Sequence, residues 1–286
     1  MTGTLEASMN ATTNMTTAAA AIPAPAKAAT AAARHLLQVD NLSREFGGVL
    51  AIGDLSFTIQ QGKIHSIIGP NGAGKTTLFN LITGVYKPSG GTILFDGATV
   101  SGMAPYKLAE RGMSRTFQNL QIFFNMTALE NVMVGRHLHL DRRLLPALLR
   151  FPSVRRKDAE ARERAAELMR EVGLGKYLDA HASSMPYGAL KRLEIARALA
   201  AEPKLLLLDE PAAGLNATES REIDELIKHV AARGVTVILV EHDMKMVMGI
   251  SDHILALNYG RKLAEGTPAE VGSNPDVIAA YLGSMP

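Results

Sequence analysis

The chain has 286 residues, of which 47% are hydrophobic and 20% are charged. That length suits one large α/β domain or two small ones, and it is long enough to bury a substantial core. The formal net charge of +2 is too close to neutral to indicate nucleic acid as the main partner. No cysteine is present, which excludes disulfides and thiolate metal sites and agrees with a cytosolic location.

The first 34 residues differ in composition from the rest. They are mostly Ala, Thr, Asn and Met, and their only charged residues are Glu6, Lys27 and Arg34. A secretory signal needs a basic start and a continuous apolar stretch, whereas Thr and Asn interrupt this segment. We therefore predict a folded domain at 35–286. The segment 1–34 is predicted to be a disordered tail, or the product of an upstream start codon. The sequence has no apolar run of bilayer-spanning length, so a role at a membrane would require docking onto another protein's helices.

From residue 36 onward, short apolar runs alternate with amphipathic stretches. This alternation predicts βαβ units and a mainly parallel sheet. The pattern between Met126 and Ala200 is mainly helical, which predicts an α-helical subdomain inserted at about 119–199. The predicted strands and the first predicted helix are Leu36–Val39, Leu55–Ile59, Ile64–Ile68, Lys75–Thr83 (the helix), Thr92–Phe95, Leu205–Leu208 and Val235–Val240.

A glycine-rich loop lies between the predicted strand Ile64–Ile68 and the helix that follows it. It matches the phosphate-loop pattern G-x-x-x-x-G-K-[ST] without a gap. Its glycines let successive N–H groups point into one concavity around a phosphate, and the helix adds the positive end of its dipole. Lys75 would contact the β- and γ-phosphates, and the Thr76 hydroxyl would ligate Mg²⁺. The expected nucleotide-binding residues of this loop are Gly69, Pro70, Asn71, Gly72, Ala73, Gly74, Lys75, Thr76 and Thr77.

Two acids, Asp209 and Glu210, directly follow the apolar run Leu205–Leu208. The run predicts a buried strand beside the strand of the phosphate loop, and ligands of open α/β sheets bind at the carboxyl ends of such strands. Asp209 would hold Mg²⁺, directly or through water, and Glu210 would polarise a water that attacks the γ-phosphate. The sequence therefore predicts ATP and Mg²⁺ at this edge of the sheet.

The order of these motifs along the chain resembles that of the ABC ATPases over residues 36–286. A glutamine follows the phosphate loop, then come the helical region, a glycine motif that begins a helix, Leu-Leu-Asp-Glu-Pro and Glu-His-Asp. The resemblance implies a P-loop NTPase core with an N-terminal antiparallel β part. It also implies an ATP-hydrolysing subunit that drives a transporter whose membrane-spanning subunits are separate chains.

The same resemblance assigns roles to three further residues. Phe46 would stack on adenine, with loose base selectivity because stacking needs only a π-face. Gln118 would contact Mg²⁺ and water and couple the site to the transmembrane partner. His242 would hydrogen-bond the γ-phosphate and help to orient Glu210. The expected catalytic residues are thus Glu210, His242, Lys75 and Gln118, and the expected metal ligands are Thr76, Gln118 and Asp209.

Longer stretches resemble the ATP-binding subunit of high-affinity branched-chain amino-acid importers: Leu208–Asn216, Ile238–Asp252, Gly266–Pro268, Asn274–Ile278 and Ala280–Gly283. The resemblance implies two ATP-binding subunits, two transmembrane permease subunits and a substrate-binding protein, with this chain peripheral at the cytoplasmic face of the bacterial inner membrane. Substrate would be bound by the other subunits. Import of urea or other amides and lipid-type export therefore stay open as alternatives.

The family signature Leu-Ser-Gly-Gly-Gln falls on Met185–Ala189, where Pro186 replaces the serine and Tyr187 the first glycine. In the head-to-tail dimer that the family implies, this motif covers the ATP held by the partner subunit. Pro186 offers neither a hydroxyl nor an N–H group, which leaves Tyr187, Gly188 and the helix N-terminus to contact that nucleotide. We therefore expect an asymmetric heterodimer in which the partner supplies an intact signature to this chain's phosphate loop.

Two other classes of ABC ATPase share parts of the pattern. Those that act in DNA repair need a long coiled coil, and those that act on ribosomes carry two ATPase modules in one chain; the sequence has neither feature. The altered signature leaves a weakly catalytic regulatory subunit as an alternative. Against it stand the intact residues Lys75, Asp209, Glu210 and His242.

Overall fold

The computed structural model describes residues 34–139 and 152–282. The predicted tail therefore lies outside the described residues, apart from Arg34. The strands are β1 (His35–Phe46), β2 (Val49–Gln60), β3 (Ile64–Ile68), β4 (Gly90–Phe95), β5 (Ala98–Thr99), β6 (Met113–Arg115), β7 (Leu205–Asp209), β8 (Thr236–Val240), β9 (His253–Asn258) and β10 (Arg261–Gly266). The α-helices are α1 (Lys75–Ile82), α2 (Pro105–Glu110), α3 (Ala128–Gly135), α4 (Pro152–Glu171), α5 (Tyr187–Leu199), α6 (Ala217–Ala232), α7 (Met244–Ile250), α8 (Pro268–Gly272) and α9 (Pro275–Leu282).

An antiparallel sheet in the order β2-β1-β4-β5 forms the N-terminal part. β1 and β2 make a long hairpin whose two-residue connection is Gly47-Gly48. Both glycines have positive φ angles, 53° and 86°, which a tight hairpin turn requires and which glycine adopts at low cost. The predicted strands Leu36–Val39 and Leu55–Ile59 are confirmed within β1 and β2, and so is the antiparallel β part.

A second sheet of six strands has the order β10-β9-β3-β8-β7-β6. Every pairing in it is parallel except that of β9 with β10, so the predicted mainly parallel sheet is confirmed. The expectation that β7 lies directly beside β3 is wrong, because β8 lies between them. A fully apolar strand suits any interior position, so its composition does not fix its neighbours.

The six-stranded sheet separates two hydrophobic layers. Side chains alternate between the two faces of a strand, and β7 shows the result. Leu205 and Leu207 pack with β1, β2, β4 and α1, whereas Leu206 and Leu208 pack with α3, α4, α5 and α6. Both faces of β7 are therefore covered, which explains why its sequence is apolar without alternation.

The described residues between 119 and 199 contain α3, α4 and α5 together with two short 3₁₀ helices, Gly175–Tyr177 and Ala182–Ser184. α3 begins at a capping box, in which Thr127 and Glu130 exchange hydrogen bonds with each other's backbone N–H groups. That this region is a separate subdomain stays a prediction. Within the described ranges, no helix combines the length and apolarity needed to cross a bilayer.

β3 contains a buried histidine, His65, that is 3% exposed. Nε2 of His65 accepts the backbone N–H of Gln60 at 3.0 Å, and its ring lies 5.5 Å from that of His253. The pKa of His65 is lowered from 6.5 to about 4, mainly by burial; His253 and Lys63 act in the same direction, whereas Asp252 and the hydrogen bond with Gln60 raise it. Folded His65 is therefore neutral at pH values where an unfolded histidine is already protonated.

We predict that the free energy of unfolding falls as the pH is lowered from 6.5 towards 4. The contribution of His65 is fully present above pH 6.5 and is lost as the unfolded chain takes up a proton that the folded chain refuses. The shift from 6.5 to about 4 corresponds to a total loss of about 3 kcal/mol. Urea unfolding at several pH values measures it.

His65→Gln should flatten this pH profile, because the amide oxygen can still accept the N–H of Gln60 but does not titrate. His137→Gln, a substitution at an exposed position, is the matched control and should leave the profile unchanged. An equally steep fall in wild type and His65→Gln would show that other groups cause the acid sensitivity.

Candidate nucleotide-binding site

Three parallel strands end at the same level and deliver the predicted site residues to one edge of the sheet. Ile67 of β3 lies opposite Val240 of β8, and Val240 lies opposite Asp209 of β7. The chain segments that leave these strands are the phosphate loop, the turn at Glu210 and the turn at His242. They meet at the carboxyl edge of the sheet, where open α/β folds bind ligands.

The phosphate loop depends on glycine at both of its ends. Gly69 has φ 152°, and a Cβ atom there would lie 2.3 Å from the carbonyl oxygen of Leu257. Gly74 has φ 101° and is the N-cap of α1, with the carbonyl oxygen of Ala51 3.0 Å from the position of a Cβ. A side chain at either end would strain the backbone and displace its neighbours. The backbone of the phosphate loop therefore requires the glycines that the sequence pattern places at Gly69 and Gly74.

The side chain of Lys75 folds back over the loop. Its Nζ donates to the carbonyl oxygens of Gly69 at 2.6 Å and Pro70 at 3.0 Å. Burial lowers the pKa of Lys75, while the nearby carboxylates of Glu210 and Asp209 raise it. The ammonium group is thus held at the mouth of the loop by weak neutral acceptors, which anionic oxygens can replace.

An open cavity lies over the loop and brings many of the predicted residues together. Its wall includes all of Asn71–Thr77, as well as Gln118 and Glu210. The rest of the wall comes from Val49, Leu50, Ala51, Val240 and Tyr259. The phosphate loop, a lysine and a glutamate therefore contribute to the wall of the same cavity.

Glu210 occupies the centre of the predicted catalytic group. Its Oε2 accepts a hydrogen bond from Nε2 of Gln118 at 3.1 Å, and its Oε1 lies 3.6 Å from Nδ1 of His242. Its backbone has φ 49°, a left-handed conformation that costs a non-glycine residue about 1–2 kcal/mol. Its N–H donates to the carbonyl oxygen of Val240 at 2.9 Å, so the turn starts where the pairing of β7 with β8 ends. Such strain persists where the surrounding structure holds it in place.

Asp209 is buried in an ion pair that the sequence analysis missed. Its Oδ2 accepts from a terminal nitrogen of Arg115 at 2.8 Å, and the two side chains are 7% and 9% exposed. Arg115 also donates to Asn80 at 2.6 Å and to Thr83 at 3.2 Å. Asp209 is not among the residues that line the cavity. The only sequence signal was a basic residue at the end of a short strand.

Helix α5 reaches the catalytic group through two buried charged residues, both missed from sequence. Nζ of Lys191 donates to the carbonyl oxygen of Glu210 at 3.3 Å, and Glu194 accepts the N–H of Phe117 at 3.3 Å. Burial raises the pKa of Glu194, and the N–H of Phe117 opposes that rise. The helix that begins at the signature motif therefore contacts both the turn at Glu210 and the segment that carries Gln118.

Glu241 performs a similar task at the end of β8. It is 2% exposed, and its two carboxylate oxygens accept the N–H groups of Ala212 at 3.0 Å and His242 at 3.2 Å. It ties the loop after β7 to the residue predicted to contact the γ-phosphate. The sequence signal was an acid after an apolar strand, which is also typical of a surface loop.

Phe46 lies at the end of β1 and is not part of the cavity wall. The edge of its ring meets Tyr86, with centroids 5.2 Å apart, and the guanidinium of Arg44 lies 4.3 Å from its centroid. Tyr259, which is 85% exposed, is the aromatic residue in the wall of the cavity. Stacking of adenine on Phe46 stays a prediction.

The altered signature lies away from this chain's own cavity. Pro186 is the N-cap of α5 and provides no side-chain cap, and the Tyr187 hydroxyl donates to Ala213 at 3.4 Å. A Cβ on Gly188 would lie 2.4 Å from a carboxylate oxygen of Glu219. An acidic side chain of the same chain thus packs against the glycine that was expected to meet the partner's nucleotide, and the roles of Tyr187 and Gly188 stay predictions.

Comparison with known proteins identifies the class. The ABC transporter family model matches residues 52–213, so the chain belongs to the ABC transporter family and is an ATPase of that type. A model described as branched-chain amino acid ATP-binding cassette transporter matches residues 261–285. Nucleotide binding follows from this membership.

The curated relatives narrow the class. The high-affinity branched-chain amino acid transport ATP-binding protein BraF of Pseudomonas aeruginosa is 47% identical over 251 residues, which is 87% of this chain and 98% of that one. The protein LivG of Escherichia coli K12, with the same description, is 48% identical over 249 residues, with the same two coverages of 87% and 98%. The predicted resemblance to the ATP-binding proteins of branched-chain amino acid transport is therefore confirmed.

Solved structures confirm the fold. An ATP-binding cassette of an ABC transporter in its ADP conformation is 30% identical, with a TM-score of 0.77 over 88% of this chain and all of that chain. A nucleotide-free ATP-binding cassette from an ABC transporter is also 30% identical, with a TM-score of 0.76 over 87% of this chain and 99% of that chain.

We predict that Arg115→Met lowers the free energy of unfolding by about 3–5 kcal/mol, because it leaves the carboxylate of Asp209 buried without its cation. Arg156→Met is the matched control: that arginine pairs with Glu160 at the surface, with side chains 82% and 63% exposed. The control should change stability by less than about 1 kcal/mol. Denaturant unfolding of the two variants measures the difference.

Adding Asp209→Asn to Arg115→Met should recover part of the loss, because the unpaired charge is then removed. Equal, small effects of Arg115→Met and Arg156→Met would contradict the importance of the buried pair.

Proposed function

We propose that this chain is the ATP-binding subunit that powers import of branched-chain amino acids through a multi-subunit ABC transporter, bound to the cytoplasmic face of the membrane. The carboxylate of Glu210, held between Gln118 and His242 over a phosphate loop, is the observation that carries the catalytic part. The cargo is supported by the relatives that share almost half of its residues over nearly their whole length.

In this proposal the phosphate loop binds the nucleotide through its backbone N–H groups and through Lys75. The ammonium group exchanges the carbonyl oxygens of Gly69 and Pro70 for phosphate oxygens, which are stronger acceptors because they are charged. The N-terminus of α1 points into the same space and favours negative charge there. Asn71–Thr77 line the cavity and form the remainder of the cradle.

The residues present fit Mg²⁺, which prefers oxygen ligands and is commonly held by one or two carboxylates together with substrate phosphates. The hydroxyl of Thr76 and the amide oxygen of Gln118, both in the cavity wall, would hold it, and Asp209, which is not in that wall, would hold it through a water. In the described part of the chain no three His, Cys, Asp or Glu residues cluster to hold a metal by themselves, so phosphate oxygens would complete the set. The ion would neutralise charge that develops on the phosphates.

Hydrolysis in this proposal uses Glu210 as the general base. The carboxylate accepts a proton from water as the water oxygen bonds to the γ-phosphorus and the bond from phosphorus to the bridging oxygen breaks. Gln118, which donates to Oε2 at 3.1 Å, fixes the carboxylate so that its other oxygen can face the water. His242 would hydrogen-bond the γ-phosphate from the other side.

The partner that completes the site is proposed to be a different ATP-binding subunit. Pro186 has no N–H group or hydroxyl, and the carboxylate of Glu219 packs against Gly188. Both features weaken the contact that this chain's signature could make with a γ-phosphate. A heterodimer lets the catalytic group around Glu210 work with an intact signature from the partner.

The docking surface for a permease is proposed to be an apolar groove beside Gln118. Its wall contains Phe117, Leu120, Phe123 and Val134, three of which are among the exposed large apolar side chains. The guanidinium of Arg197 lies 5.6 Å from the ring centroid of Phe123. An amphipathic segment of a membrane subunit fits such a groove. Because Phe117 precedes Gln118, movement of the bound segment would reach Glu210.

Two alternatives remain distinguishable. Import of urea or lipid-type export would use the same ATPase chemistry with different membrane subunits. The proline at the N-cap of the signature helix favours a weakly catalytic regulatory subunit, because proline offers an anion neither the hydroxyl nor the backbone N–H group that a serine there would supply. ATP turnover by the reconstituted complex distinguishes each alternative from the proposed function.

We predict that the membrane-reconstituted complex hydrolyses ATP faster when its binding protein carries leucine. Glu210→Gln in this chain should lower the leucine-stimulated rate of hydrolysis by a factor of at least about 100, which is within the contribution typical of a general base. Phosphate release measures it. Stimulation by urea in place of leucine would keep the mechanism and change the cargo.

The matching Glu→Gln substitution in the other ATP-binding subunit is the control for asymmetry, and it should reduce turnover much less. Equal losses from the two substitutions would contradict the asymmetric heterodimer. Equal turnover of wild type and Glu210→Gln would show that this chain's site is silent and would favour the regulatory alternative.

We predict that Phe123→Ser, a change in the groove, weakens retention of this chain on permease-containing membranes by at least about tenfold, as expected for an aromatic anchor at an interface. Ile278→Ser removes an exposed apolar side chain from α9, outside the groove, and should leave retention unchanged. Co-sedimentation with membranes measures binding, and ADP binding by each variant checks that the site is intact. Equal retention of Phe123→Ser and wild type would exclude this groove as the docking surface.

A further inference from the structure

A tyrosine near the C-terminus touches the first residue of the phosphate loop. The hydroxyl of Tyr281, in α9, accepts the backbone N–H of Gly69 at 2.8 Å. The two residues are separated by 212 positions in the sequence. The contact joins the C-terminal segment, which the branched-chain family model matches, directly to the nucleotide site.

The peptide groups on either side of Gly69 are held from both directions. The N–H of Gly69 donates to Tyr281, and its carbonyl oxygen accepts Nζ of Lys75 at 2.6 Å. When Lys75 turns towards the phosphates of a bound nucleotide, the second of these contacts is lost. The hydroxyl of Tyr281 then remains as the side-chain contact on Gly69, at the moment when the loop must keep its shape.

The position of Tyr281 is set by the packing of α9 on the end of β3. Val277, one helical turn earlier on the same face, is buried in a small apolar cluster with Ile68, the residue before Gly69. Asn274 begins the helix, since its Oδ1 accepts the N–H groups of Asp276 at 2.9 Å and Val277 at 3.3 Å. Burial raises the pKa of Tyr281, so its phenol stays neutral and keeps its proton while it accepts from Gly69.

We propose that Tyr281 is a positioning residue for nucleotide binding, which holds the first turn of the phosphate loop in the shape that receives the β-phosphate. The C-terminal segment is thereby part of the nucleotide site, although it lies outside the loop and the catalytic group. The inference rests on the proposed role of the phosphate loop and adds a residue to it.

The test uses the full-length chain and ADP, because ADP carries the β-phosphate and needs no signature from a partner. Tyr281→Phe removes one hydroxyl and leaves the N–H of Gly69 without its acceptor. We expect the dissociation constant for ADP to rise roughly fivefold to tenfold, the range of one hydrogen bond. In the nucleotide-free chain, the Gly69 amide should exchange its hydrogen faster than in wild type. The thermal midpoint should change little.

Ile278→Ala is the matched control, because it shortens an exposed side chain of the same helix and keeps both the packing at Val277 and the hydroxyl of Tyr281. It should leave the affinity for ADP within twofold of wild type. ADP affinity and Gly69 exchange unchanged in Tyr281→Phe, or an equal loss of ADP affinity in Ile278→Ala, would overturn the inference. Absence of ADP binding in wild type would instead overturn the proposed function, and with it the inference.

Discussion

The common register of β3, β8 and β7 is the constraint on which the site depends. Because Ile67, Val240 and Asp209 lie side by side across the three strands, the segments that follow them leave the sheet at one level. A slip of one residue in any pairing would turn every side chain of the slipped strand to the opposite face of the sheet. Such a slip would also disrupt the two hydrophobic layers that the sheet separates.

Buried polar contacts then fix the loops that the strands deliver. Arg115 fixes Asp209, Glu241 ties the loop after β7 to His242, and Lys191 holds the carbonyl group of Glu210. Each of these side chains makes hydrogen bonds that offset the cost of its burial, although Nε of Arg115 has no partner in the structure. None of them would touch the nucleotide in the proposed mechanism. They hold the strained turn at Glu210, so that the carboxylate and its neighbours need no rearrangement when substrate arrives.

The sequence predicted the parts of the site whose chemistry is local. The phosphate loop and the pair Asp209-Glu210 are short motifs, because neighbouring residues must supply N–H groups, a cation and acids within a few ångströms. Arg115, Glu194 and Tyr281 were missed because their partners lie far away in the chain, and only a folded structure shows those distances. The order of strands was missed for the same reason. Phe46 was assigned by its place in the family pattern, whereas its ring here packs on Arg44 and Tyr86.

We propose that this chain's own phosphate loop and Glu210 form a working ATP site that a different subunit completes. The decisive experiment is a structure of the complete membrane complex, carrying Glu210→Gln and trapped with ATP and Mg²⁺. We predict ATP in this cavity, with Lys75, Gln118 and His242 around the γ-phosphate and the partner's signature across from them. An empty loop in this chain, with ATP bound only in the partner's loop, would contradict it.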